Sequence, residues 1–537
     1  MMAWFFEPDV GDGMTDAATC GPAGGRDRIG RHARSLGALL LAGVLGGCTV
    51  LGPDFKAPEW ASPASWFSDQ RPKLTPVASM PAAEPVDPAW WSQFGDPQLT
   101  ALVRMVAAQN LDVRMAAIRL EQARYQVAIA VSAELPQVNA GGGYLRQKSS
   151  RYGILTATQP NSSNASGTGA GVTGSPTRRF DPYDIFQGGF DASWELDLWG
   201  RVARSVESAE ASAQSVAELQ RGVLLTSIAE VARTYIVIRG AQAQLQIARD
   251  NLRIAQQSLN LTQARAAGGM TTDLDVANAS AQLRRTAAEV PLIQQREAAL
   301  INALSLLLGQ GPNALRAQLE TRKPMPPVPA VVPIGMPSEL VRRRPDVRRV
   351  EAELHAATAD IGVAEAAFYP TFRMGGSVGM QALQFGNLFN LAASTFAVGP
   401  SLTIPIFEGG RLKANLKLQE ARQQEAAVAF QRTVLTAWHE VDNAMTAYQT
   451  EQARRNELTR AVADSQRALG MAQSRYEQGV ADFLTVLDTQ RLLLGTQQQL
   501  QISTTNVSEH LVALYKALGG GWELDLPDTP PEPTPKS

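Results

Sequence analysis

FDASWELDLWGRVARS, residues 190–205, changes its period halfway through. Up to Trp199 the apolar residues alternate: Phe190, Ala192, Trp194, Leu196 and Leu198 share one face, and Asp191, Ser193, Glu195 and Asp197 share the other. Side chains of a strand alternate between faces, so this is a strand with one apolar and one acidic side. From Gly200 onward the chain becomes rich in Ala, Gln, Glu and Arg, and apart from a break at AAGGMTTD no proline intervenes before Pro291. Residues 201–266 therefore read as a helix on the order of 100 Å long. Val206, Ala209, Ala213 and Val216 recur at spacings of three and four, a narrow seam of small residues suited to lying against other long helices.

The sequence repeats itself. Arg201, Glu230, Arg265, Gly269, Leu274, Val276, Leu304 and Gly309 recur 210 positions later as Arg411, Glu440, Arg475, Gly479, Leu484, Val486, Leu514 and Gly519. A constant offset over that length marks a duplicated unit. Upstream the offset is 234: LDVRMAAI at 111–118 faces PDVRRVEA at 345–352, and Pro136, Gly141 and Gly142 face Pro370, Gly375 and Gly376. The first copy is thus longer between its two strands, where the stretch NSSNASGTGAGVTGS reads as a solvent-facing loop. Strands are expected at 137–147, 186–198, 371–381 and 396–406. In the second copy Phe372, Met374, Val378 and Met380 oppose Arg373, Ser377 and Gln381, and Phe396, Val398, Leu402, Ile404 and Ile406 oppose Gly399, Ser401 and Thr403. Pro400 and Pro405 predict irregular pairing in the last of these strands.

Each strand is long enough to cross a tilted hydrocarbon layer. Four strands cannot close into a barrel, and an open sheet in lipid leaves backbone groups unpaired, so several copies of the chain must share one cylinder. Dimer, trimer and tetramer give eight, twelve and sixteen strands, and period alone does not choose among them. The polar faces would then line a water-filled interior that the long helices continue beyond the membrane.

The N-terminus adds a location. Arg26, Arg28, Arg31 and Arg34 precede an apolar run from Leu36 to Leu45, the layout of a secretory signal and too short to span a membrane. The run ends in LGGC, which resembles the lipobox of bacterial lipoproteins. That resemblance implies cleavage before Cys48 and N-acyl and S-diacylglycerol groups on it; Thr49, not an aspartate, follows and favours the outer membrane. Glu7, Asp9, Asp12 and Asp16 are wrong for a basic signal start, so translation is expected to begin downstream. Besides Cys48 the chain has only Cys20, in the discarded part, so the mature chain can form no internal disulfide and no cysteine zinc site.

Other classes find little support. The 49 basic and 51 acidic residues give a net charge of −2, against a nucleic-acid binder. Arg342, Arg343, Arg344, Arg348 and Arg349 read as a solvated helix start beside Pro345. His355, His439 and His510 read as isolated on helices, and GTGAGVTG lacks phosphate-loop context, so no enzyme is expected. The organisation expected is a signal peptide at 1–47, a lipidated Pro-rich tether at 48–88, a first repeat at 89–310, a linker at 311–336, a second repeat at 337–526 and a disordered tail at 527–537.

WELDLWGR, RRRPDV, AAFYPTF, PIFEGGR and SRYEQGVADFLTVLDTQ, in this order, resemble the outer-membrane factors, the TolC-like channels of tripartite export pumps, and the lipobox places the chain near the NodT-type lipoprotein branch. The resemblance covers Cys48 to about Leu526. It implies a mainly α fold with a small β part: a homotrimer whose twelve strands form an outer-membrane barrel over a periplasmic α-helical barrel. It also implies a periplasmic adaptor and an inner-membrane transporter, of RND type, as partners. Gly268, Gly269, Arg475 and Gly479, at the two hairpin turns, would be the tips that meet the adaptor. Tyr476, Asp488 and Asp275 match the family's closing pattern of tyrosine contacts and an aspartate ring. Thr485 and Ala481 stand where some relatives carry aspartate and arginine, so this gate should be less charged. The competing reading is a periplasmic structural or adaptor coiled-coil lipoprotein without a pore, which would lack paired amphipathic strands in both copies.

Overall fold

The computed structural model describes residues 50–58, 63, 65–66, 79–148 and 182–523. The signal peptide, Cys48, the Gly/Ser-rich loop and the tail lie outside the described residues. In chain order the elements are β1 (Met80–Ala82), α1 (Pro97–Gln109), α2 (Leu111–Val131), β2 (Gln137–Gln147), β3 (Tyr183–Leu196), α3 (Arg201–Ala267), α4 (Asp273–Leu307), α5 (Arg316–Leu319), β4 (Val331–Pro333), α6 (Pro337–Arg343), α7 (Pro345–Ala366), β5 (Thr371–Ala382), β6 (Ser394–Thr403), α8 (Arg411–Glu477) and α9 (Phe483–Ala517). The duplication is visible in the element lengths. Helices α3 and α8 both have 67 residues, α4 and α9 both have 35, and the members of each pair begin 210 positions apart. Among the described residues no helix is long and apolar enough to cross a membrane.

Local chemistry sets the boundaries. The Asp96 side chain accepts from the N–H groups of Gln98 and Leu99 and caps α1, and Asn110 caps α2 through Val113 N–H. Gly200 and Gly410 precede the two long helices at φ 75° and 87°, a left-handed turn that a residue with Cβ adopts only under strain. Pro291 sits inside α4 without ending it. The four long strands form one antiparallel sheet in the order β2-β3-β5-β6. Helices pack beneath it in the order α2, α3, α7, α8.

Strand limits differ from expectation by one to three residues at five ends, two of which have a clear cause. β3 stops at Leu196 rather than at 198, because the Asp197 carboxylate turns away to accept the Ala203 N–H at 2.8 Å and caps the first turn of α3. β6 stops at Thr403 rather than 406: Pro405 has no N–H to give the ladder. The tether and linker also hold structure that their Pro-rich sequences hide. β1 and β4 pair in parallel, and the Gln452 amide donates to Ser79 O and accepts the Ser79 N–H, stitching the tether to α8.

Two apolar clusters hold the helices. The larger gathers Trp90, Phe94, Tyr235, Tyr448 and Tyr515 with leucines and valines of α1, α3, α7, α8 and α9. Trp90 stacks on Tyr515 at 5.1 Å between centroids, and its indole N–H donates to Gly520 O. The smaller cluster packs Leu259, Leu283, Leu469, Tyr476, Phe483, Val486 and Leu487 between the two hairpins near their turns. The arginine run is not a solvated helix start. Arg344 is buried and bonds to Asp346, Glu440 and the carbonyl of Ala517, tying α7, α8 and α9 together. Arg348 pairs with the buried Glu218, whose carboxyl is pushed up by burial.

Candidate functional site

Register turns four separate alternations into one surface. Phe190 lies opposite Ala140 and Val378, and Val378 opposite Phe396; Trp194 lies opposite Met374, and Phe372 opposite Leu402. All of these fall on one face. The other face carries the rows Asn139–Asp191–Ser377 and Glu195–Arg373–Ser401. Glu195 accepts from Arg201 at 2.8 Å and from Arg373 at 3.3 Å, so its charge is paired where the sheet meets the helices. Gly189 and Gly379 face each other so closely that a Cβ on Gly189 would stand 2.5 Å from Val378 O, which explains glycine at both positions. Among the described residues most of the apolar face is uncovered: Phe396 is 83% exposed and Val378 58%. β2 and β6, the outer strands, each present an unpaired edge among the described residues.

Below the sheet, residues 50–58 strap the strand–helix junction. The Leu51 N–H donates to Trp199 O, and Arg204 donates to Leu51 O, Gly52 O and the Asp54 carboxylate. Phe55 stacks on His355 at 4.4 Å, and His355 Nε2 lies 2.9 Å from Glu207. His355 is therefore not isolated: it has a carboxylate and a ring partner, both serving the strap.

At the far end the two turns share one geometry. Gly269 and Gly479 adopt φ 72° and 75°, and the Arg265 and Arg475 carbonyls accept from Met270 and Val480, each at 2.9 Å. Gly268 caps α3. The candidate gate residues separate into different roles. Asp275 sits in the first turn of α4, where the Thr271 hydroxyl and then the Thr272 N–H and hydroxyl hold its carboxyl below the usual carboxylate range. Asp488 is exposed on α9 and lies 3.9 Å from Arg491 of the same helix. Among the described residues no bond joins Asp488 to Asp275 or Tyr476. Tyr476 is only 4% exposed and is wedged between the hairpins, its ring against Phe483 at 5.7 Å.

The residue that sequence reading missed is Arg265. Its guanidinium lies 4.5 Å from the Tyr476 ring centroid and donates to Tyr476 O at 2.7 Å and to Glu477 O at 3.1 Å. One cation thus covers an aromatic face and satisfies the end of α8, where carbonyls concentrate negative charge. The signal lay in the duplication: Tyr476 and Phe483 stand where the first copy has Ala266 and Asp273. Only the second hairpin therefore offers a ring for an arginine of the first.

Comparison with known proteins agrees with this geometry. A family model described as outer membrane efflux protein matches residues 102–310 and 336–520. The chain is 34% identical over 423 residues to the pyoverdine export outer membrane protein OpmQ of Pseudomonas putida, covering 78% of this chain and 84% of the relative. It is 32% identical over 489 residues to the toluene efflux pump outer membrane protein TtgC of the same species, covering 91% and 95%. The solved structure of the outer-membrane channel OprN superposes with a TM-score of 0.77 at 31% identity, covering 88% of this chain and all of that one. The family model spans both repeats, and with the in-register sheet and the paired hairpins it identifies the chain as a member of the outer membrane efflux protein family.

Proposed function

We propose that three copies of the chain join edge to edge into a twelve-stranded outer-membrane barrel continued by a helical tunnel. This assembly is a passive exit duct for small toxic solutes, which an inner-membrane transporter delivers through a periplasmic adaptor. The observation that carries the reading is the four-stranded sheet with aligned apolar and polar faces and, among the described residues, both edges free. The helices beneath repeat the message. Exposed Leu111, Met115, Ile118, Tyr125 and Ile129 stripe the outer helix α2, and exposed Leu418, Val428 and Leu435 mark α8, the outer helix at the opposite side. Edge strands and edge helices thus coincide, so one neighbour can cover β6 with α8 while another covers β2 with α2. A coiled-coil lipoprotein without a pore would gain nothing from this sheet.

The polar face carries Asn139, Asp191, Ser377 and ion-paired Glu195, ordinary groups that hold a water column without selecting one solute. Relatives of similar identity named for pyoverdine and for toluene support selection elsewhere, in an RND-type transporter. The turns around Gly268, Gly269, Arg475 and Gly479 are the surface offered to the adaptor. Purified protein should migrate as a heat-modifiable trimer and give single-channel conductance in planar bilayers. A water-soluble monomer that keeps its secondary structure without detergent overturns the reading.

We also assign the lipid anchor to Cys48. Its support is the sequence: the basic residues Arg26, Arg28, Arg31 and Arg34, the apolar run from Leu36 to Leu45 and the LGGC that ends it. Cys48→Ala is expected to abolish incorporation of labelled palmitate while the precursor remains uncleaved at this site. Palmitate labelling that persists in the variant overturns the assignment.

A further inference from the structure

The turn between β5 and β6, LQFGNLFNLAA at 383–393, lies at the end of the sheet away from the helices and carries no charged residue. A loop that stands in water at a channel mouth has no need of such a sequence. This one is compact, with short helical turns at Phe385–Asn387 and Leu391–Ala393 and an Asn390 side chain that accepts the Ala392 N–H at 3.0 Å. Yet it leaves Phe389 and Leu391 76% and 84% exposed. Its direction is fixed by rings. Phe385 meets Phe186 edge-on at 5.6 Å, Phe389 meets Phe385 at 6.0 Å, and Phe186 meets Tyr144 at 5.0 Å. Phe186 and Tyr144 face each other across β2 and β3 and, by alternation, stand on the apolar face with Phe190 and Trp194. The turn therefore folds outward over that face and not inward over the polar one. It also leans toward β3, away from the β6 edge where another copy would join. One step further along the same face, Arg146 and Asp184 lie 3.5 Å apart and the Tyr144 hydroxyl donates to Asp184 at 2.9 Å. Charge begins there, as it does where an aromatic belt gives way to headgroups.

We propose that the 383–393 turn is a membrane wedge: Phe385, Phe389 and Leu391 lie among the acyl chains of the outer leaflet, beside the Tyr144–Phe186 belt, and leave the mouth of the channel open. The occupant is lipid because the surface continues the lipid-facing strand face without a break. This rests on the outer-membrane reading above, and two reference positions separate the failure of one from the failure of the other.

The test uses the assembled full-length protein in lipid vesicles, with a nitroxide on Phe389→Cys and, in separate samples, on Val378→Cys and Ser377→Cys. At 378 relaxation should respond to oxygen and lose its response to a nickel chelate; at 377 the chelate should act. The wedge predicts that 389 behaves as 378 does, and that Phe389→Ala leaves single-channel conductance unchanged. A label at 389 that follows 377, or a conductance that rises on Phe389→Ala, overturns the wedge and makes the turn a plug. A label shielded from both reagents overturns it in favour of cover by protein. If 378 itself admits the chelate, the barrel reading fails with it.

Discussion

Val378→Arg is expected to abolish the heat-stable trimer, whereas Ser377→Arg, one residue earlier, is expected to leave it intact. The two positions are neighbours in sequence and opposites in the sheet. Val378 lies between Phe190 and Phe396 on the apolar face, while Ser377 lies beside Asp191 on the polar one. An arginine facing hydrocarbon near the middle of a barrel strand costs about 2–4 kcal/mol. Three copies would multiply that to roughly 6–12 kcal/mol per trimer, comparable with the whole stability of an ordinary domain. At 377 the guanidinium would meet water and the Asp191 carboxylate, and its cost should fall within the range of ordinary surface substitutions. The readout is heat-modifiable migration of the folded protein on gels. Equal tolerance at both positions would remove the lipid-facing assignment, and reversed tolerance would turn the barrel inside out.

This contrast was legible because period two survives in the sequence wherever one face meets lipid and the other water. The long helices were equally legible from composition and from the duplication, whose 210-residue offset reappears in α3 and α8 and in α4 and α9. Short elements were not. Met80–Ala82 and Val331–Pro333 contain prolines and span three residues each, so only the partner strand distant in sequence makes them strands. Asp197 kept the alternation but serves the start of α3, because a cap competes with a strand end for the same carboxylate. Arg344 looked like surface charge for a similar reason: its partners Glu440 and the Ala517 carbonyl lie in other helices. At the tips the turns were readable from Gly269 and Gly479, but the clasp was not. Arg265 reaches Tyr476 across two hairpins, and nothing local to either residue announces the other.

That clasp carries the second large effect. Arg265→Ala and Tyr476→Ala are each expected to raise the closed-state conductance of the reconstituted channel, and to raise it more than Asp488→Ala or Asp275→Ala. Inside one chain, Arg265 is the polar bond that crosses from the end of α3 to the end of α8, through two carbonyls and a ring face. Hydrogen bonds from a charged donor are worth about 1.5–3 kcal/mol, and a cation over an aromatic face adds about 0.5–1 kcal/mol where partly exposed. At about 1.4 kcal/mol per factor of ten, losing the clasp should enrich states with parted hairpins by about tenfold or more. Arg265→Lys keeps the charge but not the planar stack, so an intermediate conductance is expected. Asp275 acts on its own helix start, where a lost capping interaction costs about 0.3–1.5 kcal/mol without touching the other hairpin. Its carboxyl is held below the usual range, so that contribution is present above the unfolded-state value near 4 and is lost only as pH falls through the folded value. Conductance should accordingly stay flat between pH 6 and 8 in the parent and in Asp275→Asn. Asp488 acts on the opening only if copies of it converge in the trimer, because among the described residues of one chain its ion pair is with Arg491 of the same helix. If Asp488→Ala opens the channel and Arg265→Ala does not, charge repulsion and counterions at the axis govern closure, and the packing of Tyr476 between hairpins is mere architecture.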